Sequence, residues 1–126
     1  MTSKQNKYRA IKTIVDGITF DSKKEASRYV DLCRLQNAGY IAHLRLQPEF
    51  PLMVNGTKIG KYVADFSYLR NGERIIEDVK SKATMTPVYR LNKKILSTYE
   101  PPVVITEFFG YNDLAIRRYF ESMRTI

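Results

Sequence analysis

Three times the chain sets an Asx-Gly pair between runs of strand-forming residues: Asp16-Gly17, Asn55-Gly56 and Asn71-Gly72. A two-residue type I′ hairpin loop needs positive φ at both positions, which Asn, Asp and Gly reach at least cost. Each pair therefore sets where the chain reverses and which residues face each other across the turn. Lys12 to Phe20 reads as two short strands about Asp16-Gly17. Phe50 to Val54 turns into Lys58 to Leu69, and that run turns again into Arg74 to Lys80, a three-stranded meander. Ile41 to Leu46 alternates weakly ahead of it, and Pro48 and Pro51 interrupt its ladder.

Helical signals fill the gaps. Ser22 with Glu25 three residues on fits a capping box, and Gly39 fits the stop. Between them Ala26, Tyr29, Val30, Leu32 and Cys33 make an apolar stripe, while Lys24, Ser27, Arg28, Asp31 and Arg34 are expected to face water. Thr86-Pro87 reads as N-cap and first position of a second helix running to about Tyr99. There Val88, Leu91, Ile95 and Tyr99 are expected inward, and Arg90, Lys93, Lys94 and Ser97 outward. Pro101-Pro102 ends that helix, Val103 to Phe109 reads as a buried strand, and Asp113 to Met123 as a basic helix with Ile116, Phe120 and Met123 inward. Hairpin, helix, meander, helix, strand, helix predicts an α/β fold with a mixed sheet covered by helices.

A chain of 126 residues has room for one domain, expected over 8–126 after a loose, basic tail at 1–7. Its 21 Lys and Arg against 13 Asp and Glu leave +8, an excess that points to a polyanionic partner, most often nucleic acid. Nine Tyr and six Phe supply a core and argue against disorder. No run approaches the roughly 18 apolar residues of a membrane span, and Met1 to Lys12 has no apolar stretch of the secretory kind. With Cys33 the only cysteine and His43 the only histidine, an intramolecular disulfide, a cysteine-based zinc site and a Ser-His-Asp triad are set aside. The expectation is a cytoplasmic protein, without membrane contact, whose chemistry rests on carboxylates and lysines.

The Asn71-Gly72 turn locates that chemistry. If the two residues are the whole loop, Arg70 faces Glu73, Tyr68 faces Ile75, Phe66 faces Glu77 and Asp65 faces Asp78. Two carboxylates opposed on one sheet face repel. Lys80, two residues past Asp78, shares that face, and Glu77 points to the other. On a solvated strand such a trio would be ordinary, but Val63, Ala64, Phe66, Ile75, Ile76 and Val79 make both strands look central, where a carboxylate is costly without a partner. A bound cation is such a partner, and oxygen-only ligands favour Mg²⁺ or Mn²⁺. Glu25 shares a helical stripe with Tyr29 and Leu32, so it serves either this site, the capping box, or both.

An early helix with a glutamate, then Val63-Ala64-Asp65-Phe66, a hairpin, and Glu77-Asp78-Val79-Lys80 before a helix and strand resembles the PD-(D/E)XK nuclease superfamily. More narrowly, the chain is similar to a small phage- and prophage-associated family of that superfamily, of unassigned role. The likeness runs from about Tyr8 to Phe108, and Ala64 stands where the motif's proline would be. It implies an αβββαβ restriction-endonuclease-like core. Asp65 would match the first motif acid, Asp78 the second and Lys80 the lysine, and Glu25 resembles the helix glutamate of resolvase-like members. Asp65, Asp78, the Val79 carbonyl and Glu25 would hold Mg²⁺, with Mn²⁺ as substitute, and Lys80 would orient or deprotonate the attacking water.

The function so implied is Mg²⁺-dependent endonucleolytic cleavage of DNA. A chain without a specificity domain suits branched DNA, as with Holliday-junction resolvases, which act as homodimers in phage recombination or replication. A restriction-like or transposase-type endonuclease subunit that needs a targeting partner is the alternative, as is a non-catalytic DNA-binding protein on a nuclease fold. Arg90, Lys93 and Lys94 are either a solvated face or phosphate contacts. Lys7, Arg9 and Lys12, with Lys4, are either a DNA-binding arm or a solubilising tail. Gln47 either assists the site or steadies the bend at Pro48. Tyr89 is expected to pack, and His43 and Cys33 to be structural.

Overall fold

The computed structural model describes residues 11–111 and Arg118. Lys4, Lys7 and Arg9 of the basic tail, and the expected C-terminal helix with its inward Ile116, Phe120 and Met123, lie outside the described residues.

All three Asx-Gly pairs form the turns their chemistry requires. Asp16 and Gly17 have φ 51° and 75°, Asn55 and Gly56 49° and 78°, Asn71 and Gly72 51° and 79°. The first joins β1 (Thr13–Val15) to β2 (Ile18–Phe20), with Val15 facing Ile18. Helix α1 (Lys23–Asn37) follows, capped by Ser22, whose Oγ accepts the Glu25 N–H. Then come β3 (Ala42–Leu46), β4 (Glu49–Val54), β5 (Thr57–Val63), β6 (Phe66–Arg70) and β7 (Glu73–Val79). A 3-10 turn (Lys82–Thr84) leads into α2 (Pro87–Ser97), capped by Thr86, and β8 (Ile105–Phe108) closes the described fold.

The four-stranded sheet has the order β3-β6-β7-β8; β8 runs parallel to β7 and the other pairs are antiparallel. The sheet is therefore mixed, as the element order predicts. Phe20, Ala26, Leu32, Ile41, Phe66 and Tyr68 pack between α1 and one face. Leu52, Tyr62, Ala64, Ile76, Tyr89, Leu96 and Ile105 pack between the other face, α2 and the β4–β5 ribbon.

The run Lys58 to Leu69, expected as one strand, is two. β5 pairs with β4 in a separate ribbon and β6 joins the main sheet, so no simple meander forms. The bend is at Gln47-Pro48 on one side and Ala64-Asp65 on the other. Pro48 has no N–H to give the ladder, and Gln47 takes the left-handed φ of 52°. Two hydrogen bonds hold the corner, Gln47 N–H to the Asp65 carbonyl at 2.9 Å and Ala64 N–H to the Pro48 carbonyl at 3.0 Å. Asp65 thus sits at a corner of the fold rather than within a strand.

The apolar stripe of α1 faces the core as its periodicity predicts, through Ala26, Tyr29 and Leu32, whereas α2 is rolled away from its own. In α1, Asp31 is fully buried and Arg28 reaches into the protein, because β7 offers Glu77 and Tyr111 offers a hydroxyl on that side. In α2, Val88 and Leu91 are exposed while Tyr89 and Leu96 are buried, since Tyr89 finds Glu107 on β8. Polar partners draw Arg28 and Asp31 of α1 inward and accompany the roll of α2, a choice that hydropathy alone does not encode. The last strand begins at Ile105, two residues later than expected.

Candidate active site

The register read from the Asn71-Gly72 turn holds through five pairs, from Arg70 facing Glu73 to Phe66 facing Glu77. Past that point the ladder is completed by side chains. The Asp65 N–H donates to Asp78 Oδ1 at 2.8 Å, and the Val79 N–H donates to Asp65 Oδ2 at 2.8 Å. The two acids are therefore not bare opposed charges, as the ladder alone implies. Each spends one oxygen on a backbone donor that the bend at Asp65 leaves without a ladder carbonyl. The second oxygen of each carboxylate remains for another partner, and Asp78 Oδ2 has Lys80 Nζ at 3.9 Å.

These groups line an open cleft of about 670 Å³ together with Lys12, Lys24, Glu25, Val79 and Tyr89. Four sequence-predicted residues, Glu25, Asp65, Asp78 and Lys80, and the Val79 backbone thus share one cavity. Gln47 lies behind them, in a smaller cavity of about 130 Å³ that Glu25 and Asp65 also line. Lys12 is at the cleft, where it pairs with Asp21 at 3.2 Å.

The α2 cations are placed elsewhere. Lys93 donates to Glu107 at 2.9 Å, Arg90 Nε to the Met85 carbonyl at 3.3 Å, and Lys94 borders a shallow groove beside Asn55. Thr86, Val88, Tyr89 and Asn92 are the α2 residues and cap that line the cleft.

Helix α1 is stapled to β7 on either side of Asp78. Arg28 Nε and the second guanidinium nitrogen donate to the two Glu77 oxygens at 2.7 and 2.9 Å, and Tyr68 Oη donates to the same carboxylate at 2.6 Å. One turn earlier, Lys24 Nζ donates to the Lys80 carbonyl at 2.7 Å. Glu25 sits on the stapled turn, which holds it over the cleft. Sequence reading missed Lys24 and Arg28; their i, i+4 spacing on one helix face was the available signal.

Electrostatics mark the cleft as acid-rich. Burial pushes Glu25 from the usual 4.5 up to about 8, and repulsion from Asp65, Asp21 and Asp78 adds to it. Burial lifts Asp65 to about 6 against the opposing pull of the Val79 N–H and Lys80. Asp78 is raised too, chiefly by burial, again opposed by its backbone hydrogen bond and Lys80. A raised acid holds its proton more tightly folded than unfolded, so its stabilisation is full below about 4.5 and fades as pH rises to about 8 for Glu25. Without divalent cations, melting temperature should fall between pH 5 and pH 8.5, and Glu25→Gln should flatten that fall and melt higher at pH 8.5. A Glu25→Gln curve parallel to wild type in thermal melts would show that Glu25 is not the strained group.

The donor set suits a hard divalent cation in kind: the second carboxylate oxygens of Asp65 and Asp78, the latter 3.9 Å from Lys80 Nζ, with Glu25 in the same cavity. Among the described residues no three His, Cys, Asp or Glu side chains converge as a ready-made metal cage.

Among the described residues no helix is long and apolar enough to cross a membrane. No curated protein and no solved structure matches the chain. A family model does match, over residues 5–121, nearly the whole chain. The chain belongs to the family described as "Protein of unknown function (DUF1064)".

Proposed function

We propose that the protein is a Mg²⁺-dependent endonuclease of the PD-(D/E)XK type that hydrolyses phosphodiester bonds in DNA. The observation that carries this reading is the pair Asp65 and Asp78, each tied by one oxygen to a backbone N–H, with Lys80 beside Asp78 in an open cleft. A mixed sheet β3-β6-β7-β8 entered after α1, with α2 as the crossover to the parallel β8, supports this reading. Mg²⁺, or Mn²⁺ in its place, would be held by Asp65 and Asp78 with the Val79 carbonyl, and Glu25 would join them or hold a water. Bound there, it would supply Lewis-acid polarisation of the phosphate and acidify the attacking water.

The chain's own residues have distinct tasks. Lys80 neutralises charge next to the acids and orients the nucleophile. Lys12 and Lys24 give the cleft wall positive charge for the flanking phosphates. The backbone donors to Asp65 and Asp78 hold both carboxylates in place before any substrate arrives. By the chain's likeness to the resolvase-like members of that superfamily, branched DNA is the proposed substrate, cut by a homodimer in the cytoplasm.

The test is nicking of supercoiled plasmid with Mg²⁺ against EDTA, followed by labelled duplex, flap and four-way junction. Metal-dependent cleavage that is strongest on the junction is expected. A pure sample that binds these DNAs but cuts none of them, with Mg²⁺ or Mn²⁺, would overturn the catalytic reading.

A further inference from the structure

Lys80 has a second neighbour besides Asp78. Its Nζ lies 3.5 Å from the centroid of the Tyr89 ring, well inside the range of a cation–π contact. Tyr89 is buried, at 5% exposure, and its hydroxyl donates to Glu107 Oε2 at 2.7 Å. Lys93 Nζ donates to the same oxygen at 2.9 Å. Glu107 faces Asp78 in the parallel β7–β8 pair, so the chain of contacts closes on the strand that carries the acid.

We propose that Tyr89 is a positioning residue for Lys80: its ring face holds the ammonium beside Asp78, and Glu107 with Lys93 holds the ring. A lysine on a four-carbon stem loses much rotamer freedom when held at one point, and a carboxylate at 3.9 Å alone is a loose restraint. The ring supplies the opposite wall. It attracts the cation without accepting its proton or competing as an anion, so the ammonium stays available to a phosphate or water in the cleft. Glu107 is suited to the outer position because burial, which acts to raise its pKa, is outweighed by the hydrogen bonds from Tyr89 and Lys93, and the net shift is downward. An ionised Glu107 is the stronger acceptor for the tyrosine hydroxyl. This arrangement also gives Lys93 an inward task that its place among the helix cations did not suggest.

The geometry stands apart from the activity; only its consequence for cleavage rests on the nuclease reading. The test uses the full chain labelled with ¹³C-lysine, with Lys80 assigned through Lys80→Arg, and follows the Lys80 methylene protons. Ring-current shielding should move them upfield in wild type, persist at a reduced size in Tyr89→Phe, which keeps the ring but loses the hydroxyl that Glu107 holds, and vanish in Tyr89→Leu. Cleavage should stay within about 3-fold of wild type in Tyr89→Phe and fall roughly 10- to 100-fold in Tyr89→Leu, with DNA binding retained. Unshifted Lys80 protons in wild type, or a shift that persists in Tyr89→Leu, would overturn the proposal. If Tyr89→Leu does not fold, the wild-type and Tyr89→Phe spectra decide it alone. The expected shifts in a protein that cuts no DNA would leave the clamp standing and remove the nuclease reading instead. Full activity in a folded Tyr89→Leu with the shift lost would show that holding Lys80 is not what the ring is for.

Discussion

Asp78→Asn should abolish cleavage, by a factor of about 10³ or more, while leaving the protein at least as stable as wild type in EDTA. The variant keeps the Oδ1 that accepts the Asp65 N–H, so the corner of the fold stays closed. It removes a buried charge that lies among Asp65, Glu25 and Glu107 and whose proton affinity burial already raises. The gain in EDTA should be on the order of 1 kcal/mol, set against the loss of the long contact to Lys80. Wild type should be stabilised by millimolar Mg²⁺ or Mn²⁺, since a ligand that binds only the folded state favours it by mass action. Asp78→Asn should lose most of that response. Thermal melts of both proteins in EDTA and in each metal decide the matter. A variant clearly less stable in EDTA, with its metal response intact, would make Asp78 a structural residue.

The largest loss of stability should come from the other face of β7. Arg28 and Glu77 form a bidentate pair whose side chains are 11% and 1% exposed. Arg28→Met leaves the Glu77 carboxylate buried with the Tyr68 hydroxyl as its remaining side-chain hydrogen-bond partner among the described residues. Breaking a buried pair from one side costs about 3–5 kcal/mol, which in a domain of this size lowers the melting temperature by roughly 10–20 °C. Arg28 also lies 4.0 Å from the centroid of the Phe108 ring, a contact that methionine replaces only in part. The double variant Arg28→Met, Glu77→Leu should recover part of the loss, because apolar side chains of similar size carry no desolvation penalty, the remainder being the Tyr68 hydroxyl left without its acceptor. Urea unfolding of both singles and the double measures the coupling. Additive losses would mean that the two side chains act independently and that this pair does not couple α1 to β7.

The local parts of this fold were legible because their causes are local. Positive φ at an Asx-Gly pair is a property of two residues, so all three reversals, and the β6–β7 register that follows from one of them, could be read from the chain. The same register led to Asp65, Asp78 and Lys80, since side-chain alternation carries a turn's geometry along the strand. Ser22 and Thr86 announced their helices for the same reason, each accepting an N–H three residues on.

Tertiary structure decided whatever depends on a partner distant in sequence. Arg28 and Asp31 look like a solvated face until β7 brings Glu77 to one and the chain after β8 brings Tyr111 to the other. Tyr89 looks like packing until Glu107 and Lys80 approach it from 18 residues downstream and from β7's end. The bend at Gln47-Pro48 and Ala64-Asp65 turned two opposed acids into two acids each held by a backbone donor. Periodicity in the sequence reports which side chains prefer to leave water, but not which buried polar groups will find one another. In this protein buried polar pairs bring Arg28 and Asp31 inward beside the apolar stripe of α1, and on α2 they accompany a roll that leaves Lys93 on Glu107 instead of at the cleft.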